Sequence, residues 1–409
     1  MKACRSCGSH LGQPFLSLGN SPNSNAYLSA NELDGMEAYF PLDLYLCPLC
    51  FLVQLDQYQP IDAIFSEQYA YFSSYSESWL EHCRRYADSM VERYSYGSKS
   101  FVIEVASNDG YLLQYFVAKG IPVLGIEPAA NTARAAVEKG IPTLVKFFNA
   151  DLAASLAAEG KRADLLIGNN VLAHTPDLDS FVRGLQAILK PDGVITMEFP
   201  HLLRLIEHNQ YDTIYHEHFS YFSLFSAMRL FGDRGLTVFD VDELPTHGGS
   251  IRIYAGHRDG PVRPGRERVQ ELLERERRFG LQDSRRYADF EAEVHRHKRE
   301  LLLFLIEARN RGRRVVCYGA PAKGNTLLNY CGIRTDLIDY TVDRSPHKQN
   351  RFLPGSHIPV LPPDRIRQDR PDYVLILPWN IADEIRSQLS FVREWGGQFV
   401  VPIPRVEVD

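Results

Sequence analysis

Residues 100–113 read SFVIEVASNDGYLL, and the fold of the chain turns on this stretch. Its first seven residues are apolar apart from Ser100 and Glu104, as in a strand covered on both faces. Ser107, Asn108, Asp109 and Gly110 then form a tight turn, and a helix is predicted from near Tyr111. The pattern recurs downstream. Residues 123–126, 163–167 and 193–198 are further short apolar runs separated by helix-length segments, which predicts a doubly wound parallel sheet. Ligands of such sheets sit at the C-terminal ends of the strands.

That crevice suits a dinucleotide or S-adenosylmethionine, and phosphate chemistry separates them. The second run ends in Glu127, 23 residues after Glu104, where a carboxylate can accept hydrogen bonds from ribose hydroxyls. A dinucleotide needs a glycine-rich turn that lets backbone amides approach a pyrophosphate. This turn has a single glycine, and Glu104 and Asp109 would repel a pyrophosphate while being able to receive the ammonium and ribose of S-adenosylmethionine. The loop GNNVLAH at 168–174 brings Asn169, Asn170 and His174 to the same face. The predicted cofactor set is therefore Glu104, Ser107, Asn108, Asp109, Glu127, Asn169 and Asn170, although Asn108, Asp109 and Gly110 also suit a plain helix-capping turn.

Ahead of this unit, four of the seven cysteines fall in two CxxC pairs, Cys4/Cys7 and Cys47/Cys50. Each CxxC turn aims two thiolates at one ion, and two turns complete the tetrahedral shell of a structural zinc with no position left for substrate. A redox CxxC is the alternative, but it would precede a helix, whereas Cys50 is followed by strand-like Phe51, Leu52 and Val53. The 39 residues between the pairs are expected to form a small sheet of their own or to reach toward the active site. Cys83, Cys317 and Cys331 read as small buried residues.

Beyond the last central strand, Tyr215, His216, Glu217 and His218 concentrate a phenol, a carboxylate and two imidazoles, the usual equipment for removing a carbon-bound proton and steadying the enolate. A solvated loop or a metal fragment would look similar. His201 and His208 read as surface residues, and the glycine pair in THGGS at 246–250 marks a turn whose role the sequence leaves open. A charge-rich helical stretch over 266–311, with LLLFLI as its core face, leads to a second α/β unit. There a strand at 315–318 runs into a Gly/Lys turn opening a helix, an anion site for Lys323 and Asn325. Asp343, after a strand at 338–342, stands where it can meet a ribose hydroxyl.

With 409 residues the chain exceeds what one core supports. The organisation expected is a zinc-binding domain over 1–72, an S-adenosylmethionine-binding domain over 73–258 and a Rossmann-like domain over 259–409, with substrate in the cleft between them. The net charge of −6 argues against nucleic acid or an anionic membrane as partner. No leader-like apolar run begins the sequence and no stretch could span a bilayer, so the protein reads as cytoplasmic.

Taken in order, the CxxC pairs, EVASNDGYLL, GNNVLAHTPDL, YHEHFSYFS, THGGSIR and CYGAPAKGNTLLN resemble the zinc-containing nucleotide-sugar C-methyltransferases across nearly the whole chain. These enzymes methylate 4-keto-deoxysugars carried on dTDP, typically at C-3. The resemblance implies His218 as base, Glu217 as its assistant and Tyr215 on the enolate oxygen. It also implies substrate contacts from His174 and from Tyr69, with Tyr71 and Tyr75 close by as substitutes, and it leans toward a monomer. Asp343 opens the family's DxSPxKQ turn, after which Asn350 stands where glycine is usual, a change that a left-handed asparagine can accommodate. Two further readings follow from the same residues: an epimerase or isomerase forming the enolate without methyl transfer, and a zinc-stabilised nucleotide-sugar binding protein that would have no need of a base.

Overall fold

The computed structural model describes residues 2–61, 72–261 and 263–409, so Tyr69 and Tyr71 lie outside the described residues. Strand β1 (Leu16–Ser21) pairs antiparallel with β2 (Phe40–Leu46), Leu16 opposite Leu44, and β2 with β3 (Val53–Gln54). The segment between the CxxC pairs thus builds its own sheet, with Leu16, Leu18, Leu42 and Leu44 turned into the core.

The central unit contains β4 (Val102–Val105), β5 (Val123–Ile126), β6 (Thr143–Leu144), β7 (Ala163–Asn169) and β8 (Leu189–Pro200), all parallel to their neighbours. The chain then contributes β9 (Ser220–Tyr221), and after it β10 (Leu236–Leu244) and β11 (Ser250–His257). The order is β10-β11-β8-β7-β4-β5-β6, with β11 antiparallel to β8. Because β4 has β5 on one side and β7 on the other, the winding reverses there, and such a switch point opens a crevice at the strand ends. Strand β9 does not join this sheet. Ser220 and Tyr221 pair with Gln54 and Val53, making the stretch after His218 the fourth strand of the zinc-bearing sheet.

The charge-rich stretch is two helices, Arg266–Phe279 and Ser284–Asn310, and not one. Gly280, at φ 93°, ends the first, and the Asp283 carboxylate caps the second by accepting from the Arg285 amide at 3.0 Å. Among the described residues no helix is long and apolar enough to cross a membrane. The last unit holds β12 (Val315–Tyr318), β13 (Thr341–Val342), β14 (Arg351–Phe352), β15 (Pro359–Leu361), β16 (Tyr373–Ile376), β17 (Gln398–Val401) and β18 (Glu407–Val408). It is parallel except for its two edges. Asn350 adopts φ 61°, the conformation that lets it replace glycine. One apolar core joins Leu16 and Leu42 of the first sheet, Leu203 and Ile214 before the 215–218 segment, and Leu327 and Val315 of the last unit. The three units therefore share packing at this core.

Candidate functional site

The four sulfurs of Cys4, Cys7, Cys47 and Cys50 lie within 4.8 Å of one another. Cys4 and Cys50 are 3.6 Å apart and Cys7 and Cys47 3.5 Å, near the roughly 3.8 Å edge of a tetrahedron with zinc–sulfur bonds of about 2.3 Å. The amides of Leu49 and Cys50 donate to the Cys47 sulfur at 3.4 Å, and the Gln54 amide donates to Cys4 at 3.2 Å, as suits thiolates. A Cys4 shell leaves no open position, so the zinc it holds is structural. Arg5 carries this knuckle to the cleft: its guanidinium donates to the Pro176 carbonyl at 3.0 Å and lies over the Phe219 ring.

At the switch point Ala106, Asn108 and Gly110 are all left-handed, and a Cβ on Gly110 would fall 2.3 Å from Ile141. Glu127 pins the turn by accepting from the amides of Asn108 at 2.9 Å and Ala129 at 2.8 Å. Around it, both Glu104 carboxylate oxygens, the Ser107 hydroxyl, and one side-chain oxygen each of Asp109, Asn169 and Asn170 are sealed from water without a well-formed hydrogen bond among the described residues. Folded proteins leave few such groups unpaired. A crevice lined with unpaired acceptors fits a ligand rich in donors, as the ammonium and ribose hydroxyls of S-adenosylmethionine are, and does not fit a polyphosphate. Burial pushes the Glu104 carboxyl well above its usual range, with the Tyr111 hydroxyl a partial offset.

The His218 Nδ1–H donates to the Thr213 carbonyl at 2.9 Å. A carbonyl can only accept, so this bond fixes the tautomer and leaves the Nε2 lone pair without a partner among the described residues. The Tyr215 ring lies against His218 at 4.0 Å, tilted by 34°, and the His174 ring meets it edge-on at 4.7 Å. The Phe219 amide donates to the Ala173 carbonyl at 2.8 Å and ties the two histidine-bearing loops together. Burial holds the His218 imidazole well below its ordinary range, with His174 adding to the shift, and burial lowers His174 to about 4. Glu217 accepts from the Asn25 amide at 2.6 Å, and burial pushes its carboxyl up to about 7. His216 turns away, its Nε2 at 3.2 Å from the carbonyls of both Phe40 and Pro41, and fastens the segment to β2.

Facing these groups is the turn after β12. Gly319 is left-handed with Pro378 where its Cβ would be, and Asp343 accepts from the amides of Ala320 and Ser345, each at 2.8 Å. The Lys323 ammonium lies 4.0 Å from the centre of the Trp379 ring and donates to Asn380. Burial lowers it to about 8 against the pull of Asp212. Asp212 accepts from the Trp379 indole at 2.6 Å, and burial pushes its carboxyl up to about 6. Asn325 is sealed between units, donating to the Ser24 carbonyl at 2.5 Å, while the Thr326 hydroxyl donates to the Ile214 carbonyl at 2.9 Å.

Three differences from the sequence reading stand out. His201 is buried, 2.7 Å from Glu276, and not a surface residue. Tyr75 is 69% exposed. Asn25, Asp212, Trp379 and His247 belong to the site although the sequence did not single them out. Asp212 is three residues from Tyr215 and could have been suspected, whereas Asn25 and Trp379 come from distant loops without a local signal.

Residues 4–65 match the family described as "Putative zinc binding domain", 79–241 "Methyltransferase domain", and 245–404 "C-methyltransferase C-terminal domain". The C-methyltransferase NovU of Streptomyces niveus is 37% identical over 407 residues, covering 99% of this chain and 96% of that protein. A ubiquinone biosynthesis O-methyltransferase of Methylobacterium sp. (strain 4-46) is 29% identical over 97 residues, 23% of this chain and 38% of its own. Among solved structures, the magnesium protoporphyrin IX methyltransferase ChlM of Synechocystis PCC 6803 with bound SAM covers 44% of this chain and 81% of its own, at 16% identity and a TM-score of 0.32. The likeness to NovU runs the length of both chains and carries the zinc-binding, methyltransferase and C-terminal segments together, so this chain belongs to the zinc-binding, S-adenosylmethionine-dependent C-methyltransferases.

Proposed function

We propose that this C-methyltransferase acts at C-3 of a dTDP-linked 4-keto-deoxysugar. The observation that carries the reading is the locked tautomer of His218, whose Nε2 lone pair is left to accept a proton beside the His174 and Tyr215 rings. A ketone at C-4 acidifies the hydrogen on C-3. His218 Nε2 takes that proton, the C–H electron pair moves into the enolate, and the Tyr215 hydroxyl donates to the enolate oxygen. Burial keeps the imidazole neutral and able to accept at neutral pH, and Glu217 supplies the carboxylate that the resulting imidazolium calls for. Glu104, Ser107, Asn108, Asp109, Glu127, Asn169 and Asn170 would hold S-adenosylmethionine, which would supply an electrophilic methyl group to the enolate carbon and leave as S-adenosylhomocysteine.

On the substrate side His174 and Tyr69 contact the sugar, Lys323 meets the diphosphate, Asp343 acts on the nucleotide side, and Asn325, sealed behind the turn, positions it. The three functional units follow the division at about 72 and 258. The reading extends to a monomeric cytoplasmic enzyme, since thiolate-held zinc suits a reducing compartment.

The test is mass spectrometry of a dTDP-4-keto-2,6-dideoxyhexose incubated with the protein in D2O, with and without S-adenosylmethionine. One methyl gained only with the cofactor, and lost in His218→Asn, is the expected result. Deuterium uptake with no methyl gain would instead favour the isomerase reading, and no change in the wild type would remove the proposed substrate.

A further inference from the structure

The turn 246–249 has no part in the reaction derived so far, yet its backbone is held in an unusual conformation by contacts on several sides. His247, Gly248 and Gly249 are three successive left-handed residues, at φ 55°, 89° and 120°. For histidine that conformation is strained, and strain of this kind persists only where the surroundings impose it. Here they do. The Thr246 hydroxyl donates to Glu198 at 2.9 Å, and Glu198 is held across the sheet by Arg252, its direct partner between β8 and β11. The Gly249 carbonyl accepts from the His201 amide at 3.0 Å, and the Gly248 carbonyl accepts from the Gln210 side chain at 2.7 Å. A Cβ on Gly248 would fall 2.5 Å from the Trp379 ring, and one on Gly249 would fall 2.7 Å from Arg204.

The product of this construction is the placement of one imidazole. The Asn170 amide donates to His247 Nε2 at 3.0 Å, so the ring proton is on Nδ1. The ring packs beside Trp79 at 5.3 Å and lies within electrostatic range of Lys323, of Glu198 and of His218. It keeps accessible surface, and Nδ1 has no partner among the described residues. His247 thus stands where the cofactor loop, the base and the Lys323 turn converge, with a donor to spare.

We propose that His247 is a substrate-contacting residue whose Nδ1–H donates to an oxygen of the sugar, setting the ring between His218 and the cofactor loop. The inference rests on the nucleotide-sugar reading above. Three variants test it. His247→Asn tolerates the left-handed backbone and places an amide N–H near the position of Nδ1; His247→Gln places one near Nε2; His247→Gly removes the donor and relieves the backbone. Methyl transfer to the dTDP-4-keto sugar is followed together with S-adenosylmethionine affinity by calorimetry. The expected result is a sugar KM raised at least tenfold in the Gly and Gln variants and within threefold of wild type in Asn, with cofactor affinity within threefold throughout. Equal KM values in all four proteins would overturn the proposal, as would a loss of cofactor affinity large enough to account for the KM change, which would make His247 a support for Asn170. Should the wild type turn over no dTDP-4-keto sugar, the functional reading falls and takes this contact with it; normal wild-type turnover with unaffected variants removes only the contact.

Discussion

Glu217 and the histidines around it titrate in opposite senses, and each sense has a measurable consequence. With the carboxyl of Glu217 pushed up to about 7 by burial, it is protonated below neutrality and ionised above. If the developing imidazolium of His218 needs that carboxylate, kcat/KM rises with pH through an apparent pKa close to 7, and Glu217→Gln removes this limb from the pH profile. A profile unchanged in the Gln variant would deny Glu217 the role. Stability follows a different balance. His174 and His247 fall from 6.5 to about 4 and His218 lies well below 6.5, so the unfolded chain binds protons there that the folded one refuses. Their contribution is complete above the unfolded value of about 6.5 and is lost as pH falls toward 4. The raised carboxyls of Glu217, Asp212, Glu104 and Glu127 work oppositely over the same range, so the wild-type midpoint reports the difference between the two sets. The imidazole share is read by comparison: the stability of His174→Asn in urea is expected to fall less between pH 6.5 and pH 4 than that of the wild type, by up to about 1.4 kcal/mol per pH unit. Equal pH dependence in the two proteins would mean that the His174 ring is more solvated than its surroundings imply.

Among the elements, two glycines with similar backbone angles separate conformational strain from collision. Gly280, at φ 93°, would bring a Cβ no closer than 3.4 Å to Arg286, whereas at Gly248, φ 89°, it would meet the Trp379 ring at 2.5 Å. Gly280→Ala is expected to lose about 1–2 kcal/mol in denaturant unfolding, the price of a left-handed alanine, and Gly248→Ala distinctly more because the indole must also move. Equal losses would show that Trp379 yields freely. The strand runs at 123–126 and 315–318 were legible to the residue, because parallel strands covered on both faces are continuous apolar runs. The four cysteine ligands were legible too, through their spacing. Gly280 interrupts a stretch whose charges and apolar period continue on both sides, and so the sequence read as one helical piece. Strand β9 had no such signal: two residues carry no period, and their partners Val53 and Gln54 lie far upstream. The pairs Asn25–Glu217 and Trp379–Asp212 escaped notice for the same reason, since each is created by packing between units.

For the molecule as a whole, the pairing of β9 joins the zinc knuckle to the segment that carries the proposed base. His218 is two residues from β9, whose partner β3 follows Cys50 directly in the chain, and Arg5, between the first two ligands, holds Pro176 and covers Phe219. The His218 segment thus hangs from the metal site, whereas the His174 loop follows β7 of the central sheet and is tied to that site through Arg5; the acceptor-lined crevice belongs to the central sheet, which shares no strand with the zinc-bearing one. The two functions should come apart when zinc is removed. Chelation, or Cys47→Ser, is expected to release the first sheet, since structural zinc contributes folding energy directly. Loss of the Thr213–His218 geometry then lowers methyl transfer by the roughly 10²–10⁴-fold that a positioned base provides. Affinity for S-adenosylmethionine, set by β4, β5 and β7, is expected to stay within a few-fold of the zinc-bound protein by calorimetry. Parallel loss of binding and turnover would mean that the central sheet cannot keep its shape without the knuckle. Full turnover by zinc-free protein would mean that the apolar core joining Leu16, Leu203 and Leu327 holds the catalytic segment without the metal.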